Sequence, residues 1–423
     1  MSDPYSYEEP PVAQDASALM IRAVPRISLQ AFCETAQMIE AVQEAAADRR
    51  MAKAHVKAFP GGLAGAIDFF ESAPTPNVIL LETRMAGEQL LAGLDELAGH
   101  CDPGTKVVII GHTNDVWLYR ELLRRGISDY VAMPVDAMDV VRVISDLYAD
   151  ETAAPLGRAI AFVSARGGVG SSTIAHNVAW SMSTTFDAAT VLADFDLPFG
   201  TANLDFNQDP AQGIGDAISQ PDRLDDTFLD RILAKCTDKL SLLAAPATLD
   251  KPLDLHADDF EKLYEVMRKN VPLAIYDLPH QWSGWMRRAL IEVDEIVLVA
   301  APDLACLRNA KNLFDAIRQS RPNDAPPRLV LNQVGLPKRP ELDPADFRAA
   351  LGADPIAVIP FDAELFGSAS NGGQMIAEIA PRHEIVSQFD VIAQVTSGRG
   401  GVPRRAKKSA LIPFLDKLKL SKG

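Results

Sequence analysis

Two series of short apolar runs alternate with amphipathic stretches along this chain. The first series reads "RISLQAF", "KAHVKAF", "NVILLET", "KVVIIGH" and "DYVAMPV", separated by segments such as "AQMIEAVQEAAADRR" and "DVWLYRELLRRG". Brief apolar runs of this kind predict strands, and the 3.6-residue periodicity between them predicts helices. Strands that alternate with helices predict a parallel sheet covered on both faces. Five such units fit a small doubly wound domain. The second series reads "AIAFVSA", "AATVLADFD", "LSLLAA", "LAIYDLP", "EIVLVAAPD", "RLVLNQV" and "IAVIP". It predicts a second α/β domain of the same kind, so the expected fold class is two doubly wound parallel-sheet domains.

The segments outside these series set the boundaries. Residues 1–20 are acidic, low in hydrophobicity and carry tandem prolines, which predicts a disordered arm. The first domain is expected over 21–150 and the second over 158–395, joined by a linker at 151–157 within the small, polar "ADETAAPLGR". The tail, 396–423, is glycine-rich, then basic: from Arg399 to Gly423 it holds eight Lys or Arg against one acid, Asp416. Pro413 suits a first helical position. Leu411, Phe414, Leu415 and Leu418 then fall near one face, so the tail is a candidate for contact with the inner membrane or with a partner groove.

Composition narrows the class. A chain of 423 residues with 48% hydrophobic and 23% charged content is expected to be an ordinary globular protein of two or three domains. The net charge of −16 argues against nucleic acid as a partner, because phosphate backbones need a basic footprint. Cys33, Cys101, Cys236 and Cys306 are scattered and form no CxxC pair, which fits a cytoplasmic location and neither a disulfide framework nor a zinc site. No apolar run is long enough to span a bilayer, and the acidic start does not read as a signal peptide.

The candidate chemistry lies in "SARGGVGSST", Ser164 to Thr173. It stands between a buried-strand run and a helical segment, the context a phosphate-binding loop needs. Gly167, Gly168 and Gly170 let successive backbone amides point inward, and the helix that follows adds its N-terminal dipole. Ser171 stands where such a loop normally carries lysine, but amides alone can bind an anion. Ser172 falls where a hydroxyl would ligate Mg²⁺. A glycine-rich turn without a ligand fits the same local sequence, so the neighbouring strands matter. "LADFDLPFG" ends one strand with Asp194 and Asp196, two apart and therefore expected on one side of an extended chain. "AIYDLP" ends another with Asp277, as a magnesium-linked carboxylate would. "LVLNQ" ends a later strand with Asn332, whose amide offers the donor and acceptor an adenine edge requires. Singly, each reads as a cap or turn residue; together they form a constellation at the carboxyl ends of strands, where ligands bind in such sheets.

On these residues the segment 158–395 resembles the deviant Walker A ATPases of the MinD/ParA type. That family carries K-G-G-x-G-K-[ST]-[ST], and this chain reads Arg166-Gly167-Gly168-Val169-Gly170-Ser171-Ser172-Thr173. The resemblance implies an ATP and Mg²⁺ site. Arg166 takes the place of the signature lysine, Ser171 of the phosphate-loop lysine and Ser172 of the magnesium hydroxyl. Asp194 and Asp196 match the aspartates after the second strand, Asp277 the Walker B aspartate and Asn332 the adenine-reading asparagine. Within that group, "SARGGVGSST" with "LADFDLPFGTANLDF" and the degenerate N-terminal domain resembles the CpaE/TadZ family of pilus assembly and localisation proteins of tight-adherence (Flp-type) systems. This implies a homodimer working with pilus secretion machinery, at the inner membrane or a cell pole.

The departures are chemical. Arginine at 166 keeps a planar, bidentate contact to phosphate. Serine at 171 supplies no charge to the transferring phosphoryl group, so binding is expected to outlast hydrolysis and any ATPase activity to be weak. The first domain resembles a response-regulator receiver, but Glu82 stands at the phosphoacceptor place, Gly111 at the hydroxyl place with Thr113 close by, and Met133 before Pro134 where lysine is expected. It therefore reads as a pseudo-receiver used for docking or dimerisation. The first functional reading is a nucleotide-linked dimeric scaffold. The alternative is an active MinD/ParA-type ATPase cycling between bound and free states, with Asp196 orienting the attacking water. A phospho-signalling regulator fails on the missing receiver chemistry. A Rossmann dehydrogenase fits less well, because the loop R-G-G-V-G-S-S-T does not give the G-x-G-x-x-G spacing and Asp194 and Asp277 would be unexplained.

Overall fold

A computed structural model describes residues 21–149, 156–246 and 256–398. The expected acidic arm, most of the linker and the basic amphipathic part of the tail lie outside the described residues. The chain divides into two compact units. The first runs up to Leu156 and takes in 290–294 and 312–326; the second holds Gly157–Ala289, Glu295–Lys311 and the chain from Pro327 on.

In the first unit, strands β1 (Ser28–Cys33), β2 (His55–Pro60), β3 (Val78–Thr83), β4 (Lys106–Gly111) and β5 (Asp129–Ala132) form a parallel sheet in the order β2-β1-β3-β4-β5. This is one of the common doubly wound orders. Alternation along the strands sorts side chains into two cores. Leu29, Ala31, Val78, Leu80, Val108 and Ile110 pack with Met38, Val42, Val140 and Ile144 from the helices Ala36–Ala46 and Ala137–Leu147. On the opposite face Phe32, Ile79, Leu81 and Ile109 pack with Leu63, Phe70, Leu90, Leu94, Leu118 and Leu122 from the helices Gly62–Phe70, Gly87–Ala98 and Val116–Arg124. Helix starts follow local chemistry. The Thr35 hydroxyl accepts from the Met38 amide at 3.2 Å, and Asp136 and Asp139 cap each other's backbone reciprocally. The 312–326 piece joins this unit through Asp324, which pairs with Arg49 at 2.7 Å and with Arg50.

The second unit holds β6 (Arg158–Ser164), β7 (Thr190–Asp194), β8 (Ala234–Lys235), β9 (Leu240–Leu243), β10 (Leu273–Asp277), β11 (Glu295–Ala300), β12 (Arg328–Val334) and β13 (Pro355–Pro360). The order is β13-β12-β11-β6-β10-β7-β9-β8, parallel except for β8 against β9. The seven strands read from apolar runs are all present. The eighth, β8, is two residues long, too short to carry a periodic signal. Central β6 is buried along its whole length between β10 and β11, and the chain leaves it toward the long helix Ser171–Thr185. Among the described residues no helix is long and apolar enough to cross a membrane.

Candidate nucleotide site

The glycine loop is built where β6 meets the sheet's carboxyl edge. The Ala165 amide donates to Val299 of β11 at 2.8 Å, so the loop departs from a fixed point. Gly170 caps the following helix with φ of 87°, a conformation that favours glycine, and a Cβ there would lie 2.6 Å from Asn332 Nδ2. That approach has a purpose. Asn332, buried at the end of β12, donates Nδ2 to the Val169 carbonyl at 2.8 Å, and Gln333 donates Nε2 to the Gly168 carbonyl at 2.9 Å. In a trans peptide the carbonyl and the next amide point opposite ways. With the Gly168 and Val169 carbonyls turned toward β12, the Val169 and Gly170 amides point away from it, as an anion cradle requires.

Ser171 opens the helix. It is only 7% exposed, and its hydroxyl has no hydrogen-bond partner in the protein. Ser172 and Thr173 are half-buried beside it. Arg166, 47% exposed, places its guanidinium 3.1 Å from Asp303, just beyond β11. His280, which follows β10, brings Nδ1 to 3.1 Å from the Ser164 carbonyl and its ring edge close to Gly167.

Parallel register sets Asp194 of β7 beside Asp277 of β10. Asp194 is buried, with its two oxygens accepting from the amides of Asp196 and Ala202 at 3.1 Å each. Burial, reinforced by the charge of Asp277, pushes its pKa up to about 7. Asp277 is equally buried, and its Oδ1 has no partner. Asp196 is not extended alongside Asp194. The strand ends at Asp194, and Asp196 opens a turn in which its carbonyl accepts from the amides of Phe199 and Gly200. Half-buried there, it is also raised, chiefly by burial.

One residue escaped the sequence reading. His176, 1% exposed on the long helix, brings Nδ1 to 2.8 Å from Asp205 Oδ2 and Nε2 to 3.3 Å from Asp277 Oδ2. Burial disfavours its charge, yet the two carboxylates outweigh it and push the ring up to about 10. Its signal was its spacing: four residues after Ser172, it shares that residue's helical face.

The structure thus sets Asp194 beside Asp277 and ties Asp277 to the long helix through His176. It sets Arg166 and Asn332 on the flanks of the loop and leaves Asp196 in the adjoining turn. Among the described residues no group of three or more His, Cys, Asp or Glu is disposed to cage a metal alone. Mg²⁺ on a nucleotide needs only one or two protein carboxylates, since the phosphates and water complete its shell.

The receiver-like strand ends are different. Glu82, at the end of β3, is fully buried and accepts from the Glu34 and Thr35 amides and the Thr35 hydroxyl at 2.8 Å each. It also lies 3.2 Å from His112 Nε2. Burial alone would raise its pKa, but these bonds hold it below the ordinary carboxylate range. At Gly111 a Cβ would fall 2.0 Å from the Tyr130 hydroxyl, so the tyrosine occupies the space a hydroxyl-bearing side chain would need.

No family model matches the chain. Among solved structures, a ParA family ATPase from Chlorobium tepidum matches 56% of this chain and 98% of its own, with 25% identity and a TM-score of 0.52. MinD from Pyrococcus horikoshii, solved with Mg-ADP, matches 57% of this chain and 96% of its own, with 17% identity and a TM-score of 0.51. MinD of Bacillus subtilis is 23% identical over 237 residues, 52% of this chain and 82% of that protein. The chain therefore carries the MinD/ParA-type α/β fold. A pilus assembly protein CpaE from Caulobacter crescentus is 46% identical, over 30% of this chain and 98% of its own, with a TM-score of 0.30. At that identity over nearly the whole of the CpaE chain, this chain belongs to the CpaE family of pilus assembly proteins.

Proposed function

We propose that the chain is an ATP-binding assembly and localisation factor for a tight-adherence pilus machine, acting as a nucleotide-linked dimeric scaffold with weak hydrolysis. The observation that carries this reading is a loop with its carbonyls held by β12 and its amides turned outward, beside a serine where the lysine would be. The fit to a nucleotide with Mg²⁺ rests on two buried polar atoms without protein partners, Ser171 Oγ at the start of the helix after the loop and Asp277 Oδ1 at the end of β10. The amides of Gly167 to Gly170 and the helix start, with Thr173, would hold phosphate oxygens. Arg166 would add a guanidinium, and Asn332 would face the adenine edge. Ser172, Asp194 and Asp277 would hold Mg²⁺, whose role when bound is to offset phosphate charge. Asp196 would orient water. Ser171 supplies no cation to the transferring group, a loss expected to slow turnover far more than binding.

A dimer is supported by exposed large apolar side chains that follow strand ends of this unit: Phe199, Leu204, Trp282 and Leu304. Isolated apolar residues are ordinary, but several around one sheet edge suit a protein partner. The CpaE relative, by its name a pilus assembly protein, supports the setting. Contact of the basic tail with the inner membrane is part of the same reading. The test measures ADP and ATP affinity by calorimetry and single-turnover hydrolysis on one preparation. Binding with slow turnover, and faster turnover in Ser171→Lys, is the expected result. Absence of binding at millimolar nucleotide overturns the site, and rapid turnover in the unaltered protein favours the cycling ATPase.

A further inference from the structure

We propose that His176 is a positioning residue that joins the magnesium-side carboxylate Asp277 to the segment 197–208, so that cation binding at the strand ends and the placement of Phe199 and Leu204 are linked. The inference rests on the nucleotide reading above and adds a regulatory link to it. One imidazole reaches two elements. Nε2 stands 3.3 Å from Asp277 Oδ2, leaving Oδ1 without a partner, and Nδ1 stands 2.8 Å from Asp205 Oδ2. Asp205 ends the short helix Ala202–Asp205, whose first amide donates to Asp194 Oδ2 at 3.1 Å. The ring also packs against Phe206, with centroids 5.7 Å apart. The segment is therefore tied to Asp194 through the Ala202 amide and to His176 through Asp205, whose other oxygen accepts from the exposed Ser370 hydroxyl at 3.4 Å. Phe199 and Leu204, on this pinned stretch, are 72% and 64% exposed.

Facing Oδ2 as a charge partner at 3.3 Å, without hydrogen-bond alignment, the ring biases the Asp277 carboxylate and leaves Oδ1 to face a cation, as outer-shell partners do at metal sites. The ring that orients Asp277 is also the ring that Asp205 holds, so the order of the segment and the readiness of Oδ1 for a cation rise and fall together. By linkage, whatever shifts Asp277 shifts the hold on 197–208, and the converse.

The experiment uses the full chain and two variants, His176→Gln and Asp205→Asn, each checked by far-ultraviolet circular dichroism. ADP affinity is measured with Mg²⁺ and with excess chelator, and amide hydrogen exchange is followed over 197–208. In the unaltered protein, Mg²⁺ is expected to tighten ADP and to change exchange in 197–208. In His176→Gln, the Mg²⁺-dependent gain should fall by about tenfold, as for lost outer-shell partners, with chelated ADP affinity retained and the exchange response gone. In Asp205→Asn, exchange should rise without nucleotide, its Mg²⁺ response should vanish, and the Mg²⁺ gain should fall, by less than in His176→Gln, as reciprocal linkage requires. Equal loss of chelated and Mg²⁺-bound affinity in His176→Gln, or unchanged exchange in Asp205→Asn, overturns the link. If the unaltered protein binds no ADP, the nucleotide reading fails, and nucleotide-free exchange in the two variants still decides whether His176 pins the segment.

Discussion

Truncating Asn332 to alanine separates two roles that its position allows. The bond from Nδ2 to the Val169 carbonyl is 2.8 Å long and buried. Its loss leaves a carbonyl without a partner, a penalty of about 1–3 kcal/mol. If that penalty falls on the binding-ready loop, phosphate affinity drops roughly five- to 150-fold. Calorimetry with Mg-ADP, Mg-GDP and inorganic pyrophosphate reads the result. A loop-holding asparagine predicts the same factor for all three ligands, because each is held by the same amides. An adenine-reading asparagine predicts a loss confined to ADP. Asn332→Asp should be at least as damaging as Asn332→Ala, since a carboxylate cannot donate to the Val169 carbonyl. Unchanged pyrophosphate affinity in Asn332→Ala would refute the claim that β12 shapes the cradle.

Three further outcomes follow from the geometry. Gly111→Ala puts a Cβ 2.0 Å from the Tyr130 hydroxyl and should destabilise the first unit by about 1–3 kcal/mol, seen as faster exchange in β4 and β5 and largely reversed by adding Tyr130→Leu. Glu82 has a folded pKa below its ordinary value, so its contribution is complete above the ordinary carboxylate range and fades as pH falls through the depressed value. Thermal melts should therefore show the unaltered protein ahead of Glu82→Gln at neutral pH, with the gap closing in acid; a gap independent of pH contradicts this. Arg166→Ala should leave the melting temperature nearly unchanged, because its pair with Asp303 is half-exposed, while weakening ADP binding.

The strands were legible because burial on both faces leaves uninterrupted apolar runs, as in "VILLET" and "EIVLVA". The loop was legible because its glycines and flanking elements are contiguous. What escaped depends on contacts distant in sequence. Nothing local shows that Asn332 reaches a carbonyl 163 residues away. The period-two expectation for Asp194 and Asp196 holds only while the chain stays extended, and β7 ends at Asp194. His176 sits in "STIAHNVAW", where apolar neighbours announce burial but not the two carboxylates it meets. In the first unit, "FCET" shows an acid and a threonine after β1, but not that the Glu34 and Thr35 amides both turn to Glu82.

The two side chains that brace the glycine loop from β12 have an evolutionary consequence. A pocket whose contour is maintained by its own scaffold does not rely on the catalytic cation for its shape. Such a pocket can lose its chemistry by a single replacement and still register whether it is full. Drift from engine to gauge is then a short step, and a lineage can take it without passing through an unfolded ancestor. By the same reasoning, placing a cation at position 171 tests what that charge adds to a loop already braced from β12.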